Sequence, residues 1–197
     1  YISPIHTVIR NFFPTNIRQK LKKETFDKIK TPKYQFPYNH PVSLSPSQTN
    51  ALQNIKDSKS KQVLFFWVTG SGKTEVYIKL IQEAIESWQQ ALLLVPEIIL
   101  TNQLAGRLES VFGDDVIIIH SAITEATKSK HWVWISSGEA KIIIGTRSAL
   151  FYPYKNLGLI LVDEEHDKSY DSDTNPKYNG REVVNYISKK LWIKAIF

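Results

Sequence analysis

Two short stretches of this 197-residue chain hold residue types whose spacing can do chemistry. The first, WVTGSGKT at residues 67 to 74, fills seven of the eight places of the phosphate-binding pattern Gly-x-x-x-x-Gly-Lys-[Ser/Thr], with Trp67 where the pattern has its first glycine. In such a loop, backbone amides and the amino end of the next helix hold phosphate oxygens. Gly70, Ser71 and Gly72 are therefore expected to line a nucleotide, Lys73 to reach its β- and γ-phosphates, and Thr74 to ligate magnesium. The second stretch, Asp163-Glu164-Glu165-His166, directly follows the apolar run LGLILV. An acid at a strand end can hold the magnesium shell and the next carboxylate can deprotonate an attacking water, so Asp163 and Glu164 are candidate catalytic residues. Each stretch has a plainer reading, an ordinary turn for the first and a solvated acidic turn for the second. It is their joint occurrence, each after an apolar run, that favours a nucleotide site.

Trp67 leaves two outcomes open. Losing the glycine removes backbone freedom and adds a large ring near the phosphate path, while the amides of residues 70 to 74 remain. Binding survives, weakened, if the ring turns into the sheet; otherwise the loop is only the shell of a site.

The elements that must position these residues are legible as apolar runs separated by helical patterns. QVLFF (62 to 66), ALLLV (91 to 95), VIII (116 to 119), KIII (141 to 144), LGLILV (157 to 162) and LWIKAIF (191 to 197) are continuous rather than alternating, which predicts strands buried on both faces of a parallel sheet. Ser45-Pro46 opens a short helix with Ala51, Leu52 and Ile55 on its apolar stripe. Tyr77, Leu80, Ile81, Ala84, Ile85 and Trp88 recur at helical spacing, as do Leu100, Leu104, Leu108 and Val111. This alternation predicts a doubly wound α/β fold, whose ligands bind beyond the carboxyl ends of the strands. Four prolines between residues 31 and 46 mark a boundary, dividing the chain into an amino-terminal segment, 1 to 43, and a compact domain, 44 to 197.

Composition narrows the function classes. There are no cysteines and five scattered histidines, which excludes disulfides and thiolate metal sites and argues against a structural metal. No apolar run approaches a membrane span and the first residues form no signal peptide, so a cytoplasmic protein with no membrane partner is expected. The absence of methionine suggests a fragment. The net charge of +6 is local: residues 1 to 36 hold eight Lys/Arg against two Asp/Glu, and the remainder is balanced. That basic arm is either a contact for a phosphate backbone or a solvated linker.

With these motifs in hand, the chain resembles the superfamily 2 helicases and, more closely, the bacterial replication-restart helicases of the PriA (primosomal protein N′) family. YISPIHTVIRNFFP resembles the end of that family's amino-terminal DNA-binding domain, LSPSQ its adenine-reading segment, VTGSGKTEVY its first motor motif and LLLVPEIILTNQL the next. HSAIT, the interval from Trp132 to Gly138, and IIIGTRSALFYPYKNLGLILVDEEHDKSY followed by PKYNGRE continue the likeness. Departures are Trp67 for glycine, Asn102 for proline and His6 for glycine.

The resemblance implies a RecA-like P-loop NTPase domain, the first of a helicase motor, ending before the third motor motif. It implies an ATP-dependent 3′→5′ DNA helicase that reopens stalled forks for primosome assembly, with ATP and Mg2+ as cofactors. Zn2+ is implied only for the parent protein outside this chain. Forked and single-stranded DNA, primosome proteins and single-strand-binding protein are the implied partners, and a monomer is expected. By residue, Gln48 would contact adenine, His166 would relay nucleotide state to DNA, Arg147 would meet the single-strand backbone, and Tyr170, Tyr178 and Arg181 would stack on bases. Without the family, Arg147 reads as an exposed turn residue and the tyrosines as core or rim. The isolated chain is expected to turn over little ATP. Two other classes stay open: a P-loop kinase, against which DEEH and GTRSALF argue, and a non-catalytic DNA-binding module with a loop disabled by Trp67.

Overall fold

The computed structural model describes residues 13–15, 17, 43–67, 72–96 and 102–197. Six strands form one sheet in which every neighbouring pair is parallel: β1 (Gln62–Val63), β2 (Gln90–Leu94), β3 (Val116–Ile119), β4 (Ile142–Gly145), β5 (Leu157–Val162) and β6 (Lys194–Ile196), in the order β1-β6-β5-β2-β4-β3. Apart from Gln90 at the start of β2, the central strands carry no polar side chain, because both faces are covered. Ala91, Leu93, Ile142, Ile144, Leu159 and Leu161 join the core on one face, and Leu92, Leu94, Ile143, Ile160 and Val162 join the core on the other.

Helices α1 (Pro46–Asp57), α2 (Lys73–Glu86) and α3 (Asn102–Phe112) supply Ile55, Val76, Ile81 and Leu108 to the first core. Helices α4 (Glu125–Ser137) and α5 (Gly180–Leu191) supply Ile135 and Val184 to the second. The fold is thus doubly wound, as the sequence pattern predicts. The first helix begins as expected: Ser45 Oγ accepts from the Gln48 amide at 3.3 Å and Gln48 Oε1 accepts from the Ser45 amide at 2.8 Å, closing a capping box beside Pro46.

Register decides where chemistry can gather. Leu94 of β2 lies opposite both Val162 of β5 and Gly145 of β4, and Ile119 of β3 is also opposite Gly145. Four strands therefore end level, and Asp163, Val95, Thr146 and His120 are the next residues along one carboxyl edge. Gly145 is required at this edge, because a Cβ there would lie 2.6 Å from the Ala149 Cβ and 2.8 Å from the Ile119 carbonyl oxygen.

The opposite edge is held by Gln90. Its buried amide donates to the carbonyls of Ile135 at 3.1 Å and Ala140 at 2.7 Å, and accepts from the backbone amides of Lys155 at 2.8 Å and Asn156 at 3.0 Å. One side chain thereby ties the end of α4 to the loop that enters β5.

Three expectations change at the element level. The first strand is only Gln62–Val63, although Phe65 still donates to the Phe197 carbonyl at 2.6 Å. The last strand begins at Lys194, since Leu191 closes α5 and Trp192 caps it in a left-handed conformation. Helices α4 and α5 were not anticipated. In α4 the residues Trp132, Val133, Trp134 and Ile135 are consecutive, so no helical stripe shows. The basic arm is outside the described residues except for positions 13–15 and 17.

Candidate nucleotide site and adjoining groove

The site is built where α2 starts opposite the end of β5. Gly72 caps α2 with φ +87°, a backbone geometry that side chains rarely adopt, and a Cβ there would overlap the amide nitrogen of Gln48. Gln48 Nε2 instead donates to the Gly72 carbonyl at 3.0 Å, so the residue expected at the adenine is already in contact with the phosphate loop. Gly70 and Ser71 lie outside the described residues. Thr74 follows Lys73 in the first turn of α2.

Lys73 Nζ lies 2.8 Å from Asp163 Oδ1 and 3.1 Å from Glu164 Oε1. Partial burial alone would lower the affinity of this ammonium for its proton, but hydrogen bonds and charge attraction from Asp163 and Glu164 prevail and its pKa is raised. Asp163 is buried, and its amide donates to the Leu94 carbonyl at 2.9 Å, continuing the β2–β5 ladder by one residue. Glu164 has φ 45°, in the left-handed region, which costs a side-chain-bearing residue about 1 kcal/mol. The turn places its carboxylate between Lys73 and His166, whose Nε2 is 3.7 Å from Glu164 Oε2 and whose ring is largely exposed. Lysine, two carboxylates and histidine expected together are thus brought together.

Trp67 follows the first strand by four residues. Its ring packs at 5.1 Å on Phe65, which in turn meets Tyr77 of α2 edge-on at 6.3 Å. The ring is therefore tilted against Phe65, which itself packs on the first core.

The chemistry of the donor set fits a hydrated Mg2+. Such an ion keeps several waters and takes one or two carboxylates plus substrate phosphates, rather than a full protein cage. Among the described residues no group of three or more His, Cys, Asp or Glu could hold a metal by itself, whereas Asp163 and, in the first turn of α2, Thr74 are hard oxygen donors by residue type.

Beyond the ends of β3 and β4 lies a groove of about 410 Å³, lined by His120, Lys128, Arg147, Tyr152, Thr174 and Tyr178 among others. Arg147 Nη1 donates to the Ser169 carbonyl, and Tyr178 packs edge-on against Phe151 at 4.9 Å. Lys128 pairs with Glu125 at 3.0 Å, and Glu125 also accepts from the Thr15 amide at 3.2 Å. Arg147 and Tyr178 therefore line the same groove. Lys128, His120 and Tyr152 were missed: Lys128 sits on the helix that periodicity did not reveal, and HSAIT carried no assigned role.

Two expected base-stacking residues are elsewhere. Tyr170 is 1% exposed, with its hydroxyl on the carbonyls of Asp163 (2.6 Å) and Leu94 (3.1 Å), so its ring is a core element and not a surface for bases. Arg181 does not line the groove; it lies 3.4 Å from Glu165 Oε2 and 3.4 Å from Asn179 Oδ1, at the first turn of α5. Among the described residues no helix is long and apolar enough to cross a membrane.

Comparison with known proteins agrees with this geometry. Replication restart protein PriA of Helicobacter pylori strain J99 is 47% identical over 154 residues, covering 78% of this chain and 25% of that protein. The Bacillus subtilis strain 168 protein of the same name is 36% identical over 177 residues, covering 86% of this chain and 22% of its own length. The chain thus spans about a quarter of the curated relatives it matches. Among solved structures, RecG bound to a three-way DNA junction superposes with a TM-score of 0.59 at 24% identity over 97% of this chain and 26% of that one, a likeness of fold. The UvsW helicase of bacteriophage T4 gives 0.55 at 17% identity, over 91% of this chain and 58% of that one. A family model described as type III restriction enzyme, res subunit, matches residues 41 to 195, and this chain belongs to that family.

Proposed function

We propose that this chain is the nucleotide-binding motor domain of a replication-restart DNA helicase that uses ATP to move 3′→5′ on DNA. The observation that carries this reading is the contact of Lys73 with both Asp163 and Glu164, which sets a phosphate-binding lysine against two carboxylates at a sheet edge. The similarity to proteins named replication restart protein PriA supports the process.

In this reading Gln48 meets adenine, and the α2 amino end with Gly70, Ser71, Gly72 and Lys73 holds the phosphates. Thr74 and Asp163 hold Mg2+. The ion, when bound, neutralises charge on the phosphate oxygens. Glu164 orients the attacking water and accepts its proton, and His166, reaching Glu164, reports the state of the site toward bound DNA. Single-stranded DNA lies in the groove, its backbone on Arg147 and Lys128 and a base against Tyr178. Forked DNA, primosome proteins and single-strand-binding protein are partners of the whole protein, which acts as a monomer in the cytoplasm. Its zinc belongs to segments outside this chain. Alone, the chain binds nucleotide and turns over little ATP.

Calorimetric titration of Mg·ATP tests the reading. The chain should bind, and Lys73→Ala should bind at least about ten-fold more weakly, since a charge-assisted hydrogen bond contributes ~1.5–3 kcal/mol. Equal binding by the two would sink the assignment. Binding by Trp67→Gly alone would favour a non-catalytic module with a disabled loop.

A further inference from the structure

Asp163 is held from more directions than a metal-binding carboxylate needs for burial alone. Oδ1 accepts from Lys73 at 2.8 Å and from the Tyr77 hydroxyl at 3.4 Å. Its amide is bonded to the Leu94 carbonyl at 2.9 Å, and its own carbonyl accepts from the Tyr170 hydroxyl at 2.6 Å. Tyr77 and Tyr170 are among the largest fully buried side chains of the domain. They come from opposite sides of the sheet, Tyr77 packing with the first core and Tyr170 with the second.

A tyrosine in an apolar core could be phenylalanine unless its hydroxyl has a task, because a buried hydroxyl must be hydrogen-bonded to be tolerated. Here both hydroxyls find the same residue. We infer that Tyr77 and Tyr170 are positioning residues for Asp163, Tyr77 orienting its carboxylate and Tyr170 fixing its main chain. The inference rests on the nucleotide reading proposed above.

Asp163 needs another donor once Lys73 is engaged by phosphate. The strongest bond to Oδ1 is then lost, and Tyr77, one helical turn beyond Lys73 on α2, is the donor left to hold the carboxylate's orientation. Tyr170 works on the backbone: its 2.6 Å bond anchors the residue from which the side chain swings, and the hydroxyl's 3.1 Å approach to the Leu94 carbonyl ties that anchor to β2. Ligand geometry must be held to within about 0.5 Å to be productive, and two rings wedged in packed cores supply that rigidity.

The test is the ratio of ADP affinity with Mg2+ to ADP affinity in EDTA, measured on the chain as it stands and on Tyr77→Phe and Tyr170→Phe. ADP alone reports the phosphate loop; the ratio reports the metal ligand. Each variant should keep its EDTA affinity within about two-fold and lose about three- to ten-fold in the ratio, the loss expected for one hydrogen bond. An unchanged ratio overturns the inference. So does an equal fall in both conditions, or a Tyr170→Phe chain that cannot fold, since the hydroxyl would then serve the fold in general. If the unaltered chain binds no ADP in either condition, it is the nucleotide reading that fails.

Discussion

Replacing Gln90 by leucine should cost this domain about 3–5 kcal/mol, although the residue is far from the candidate site. The side chain is fully buried and makes four hydrogen bonds: two donated to the carbonyls of Ile135 and Ala140, and two accepted from the amides of Lys155 and Asn156. The four are not equal in consequence. The Ile135 carbonyl still accepts from the Gly138 amide at 3.1 Å, so it is not orphaned. The two amides lose an acceptor in a half-buried loop, and each unsatisfied group costs ~1–3 kcal/mol. Loss of the Ala140 bond adds about 1 kcal/mol, and leucine returns roughly 1 kcal/mol through apolar burial. Urea unfolding followed by far-UV circular dichroism should show a lower midpoint with an unchanged slope, and heating should show Tm lower by roughly 6–20 °C at ~2–4 °C per kcal/mol. A loss below about 1 kcal/mol would refute the reasoning, because it would mean that water replaces the glutamine at these groups.

Histidine and the groove give two further predictions. His131 is pushed down to about 4 by burial and by the Lys130 charge, against 6.5 unperturbed. The unfolded chain therefore takes up this proton first, and the histidine's contribution to stability falls as pH drops from about 6.5 toward 4. Partial exposure reduces the expected loss to about 1 kcal/mol between pH 7 and pH 5, and His131→Leu should remove that difference between urea midpoints. For the groove, Arg147→Ala and Lys128→Ala should each weaken single-stranded DNA and flatten the slope of log affinity on log salt by about 0.7. Fluorescence anisotropy at several salt concentrations measures this, and a slope left unaltered by both changes would remove DNA from the groove.

The sequence announces the parts of the fold that depend on composition. Ile142 to Gly145 and Leu157 to Val162 are legible as strands because burial on both faces demands unbroken apolar runs. Ser45-Pro46 is legible as a helix start because its capping is local. Helix α4 is hidden because its aromatic residues serve several neighbours instead of one stripe: Trp132 meets Phe13, and Trp134 packs into the second core. The site divides in the same way. Lys73, Asp163 and Glu164 are announced by spacing, whereas nothing near Tyr170 in sequence indicates that its hydroxyl reaches the Asp163 carbonyl. Tyr170 looks like a binding aromatic only until the sheet edge closes over it.

The level strand ends carry one more consequence. Asp163 leaves β5 and Thr146 leaves β4 with only β2 between them, so nucleotide site and groove are separated by two strand spacings, about 10 Å. They also share a covalent link: the Ser169 carbonyl receives Arg147, and the next residue, Tyr170, grips Asp163. By linkage, whatever factor a nucleotide imposes on the affinity of the groove is returned by the groove's occupant on the affinity for the nucleotide. Under the proposed function such reciprocity would need no large-scale motion, only the edge that β5, β2 and β4 share.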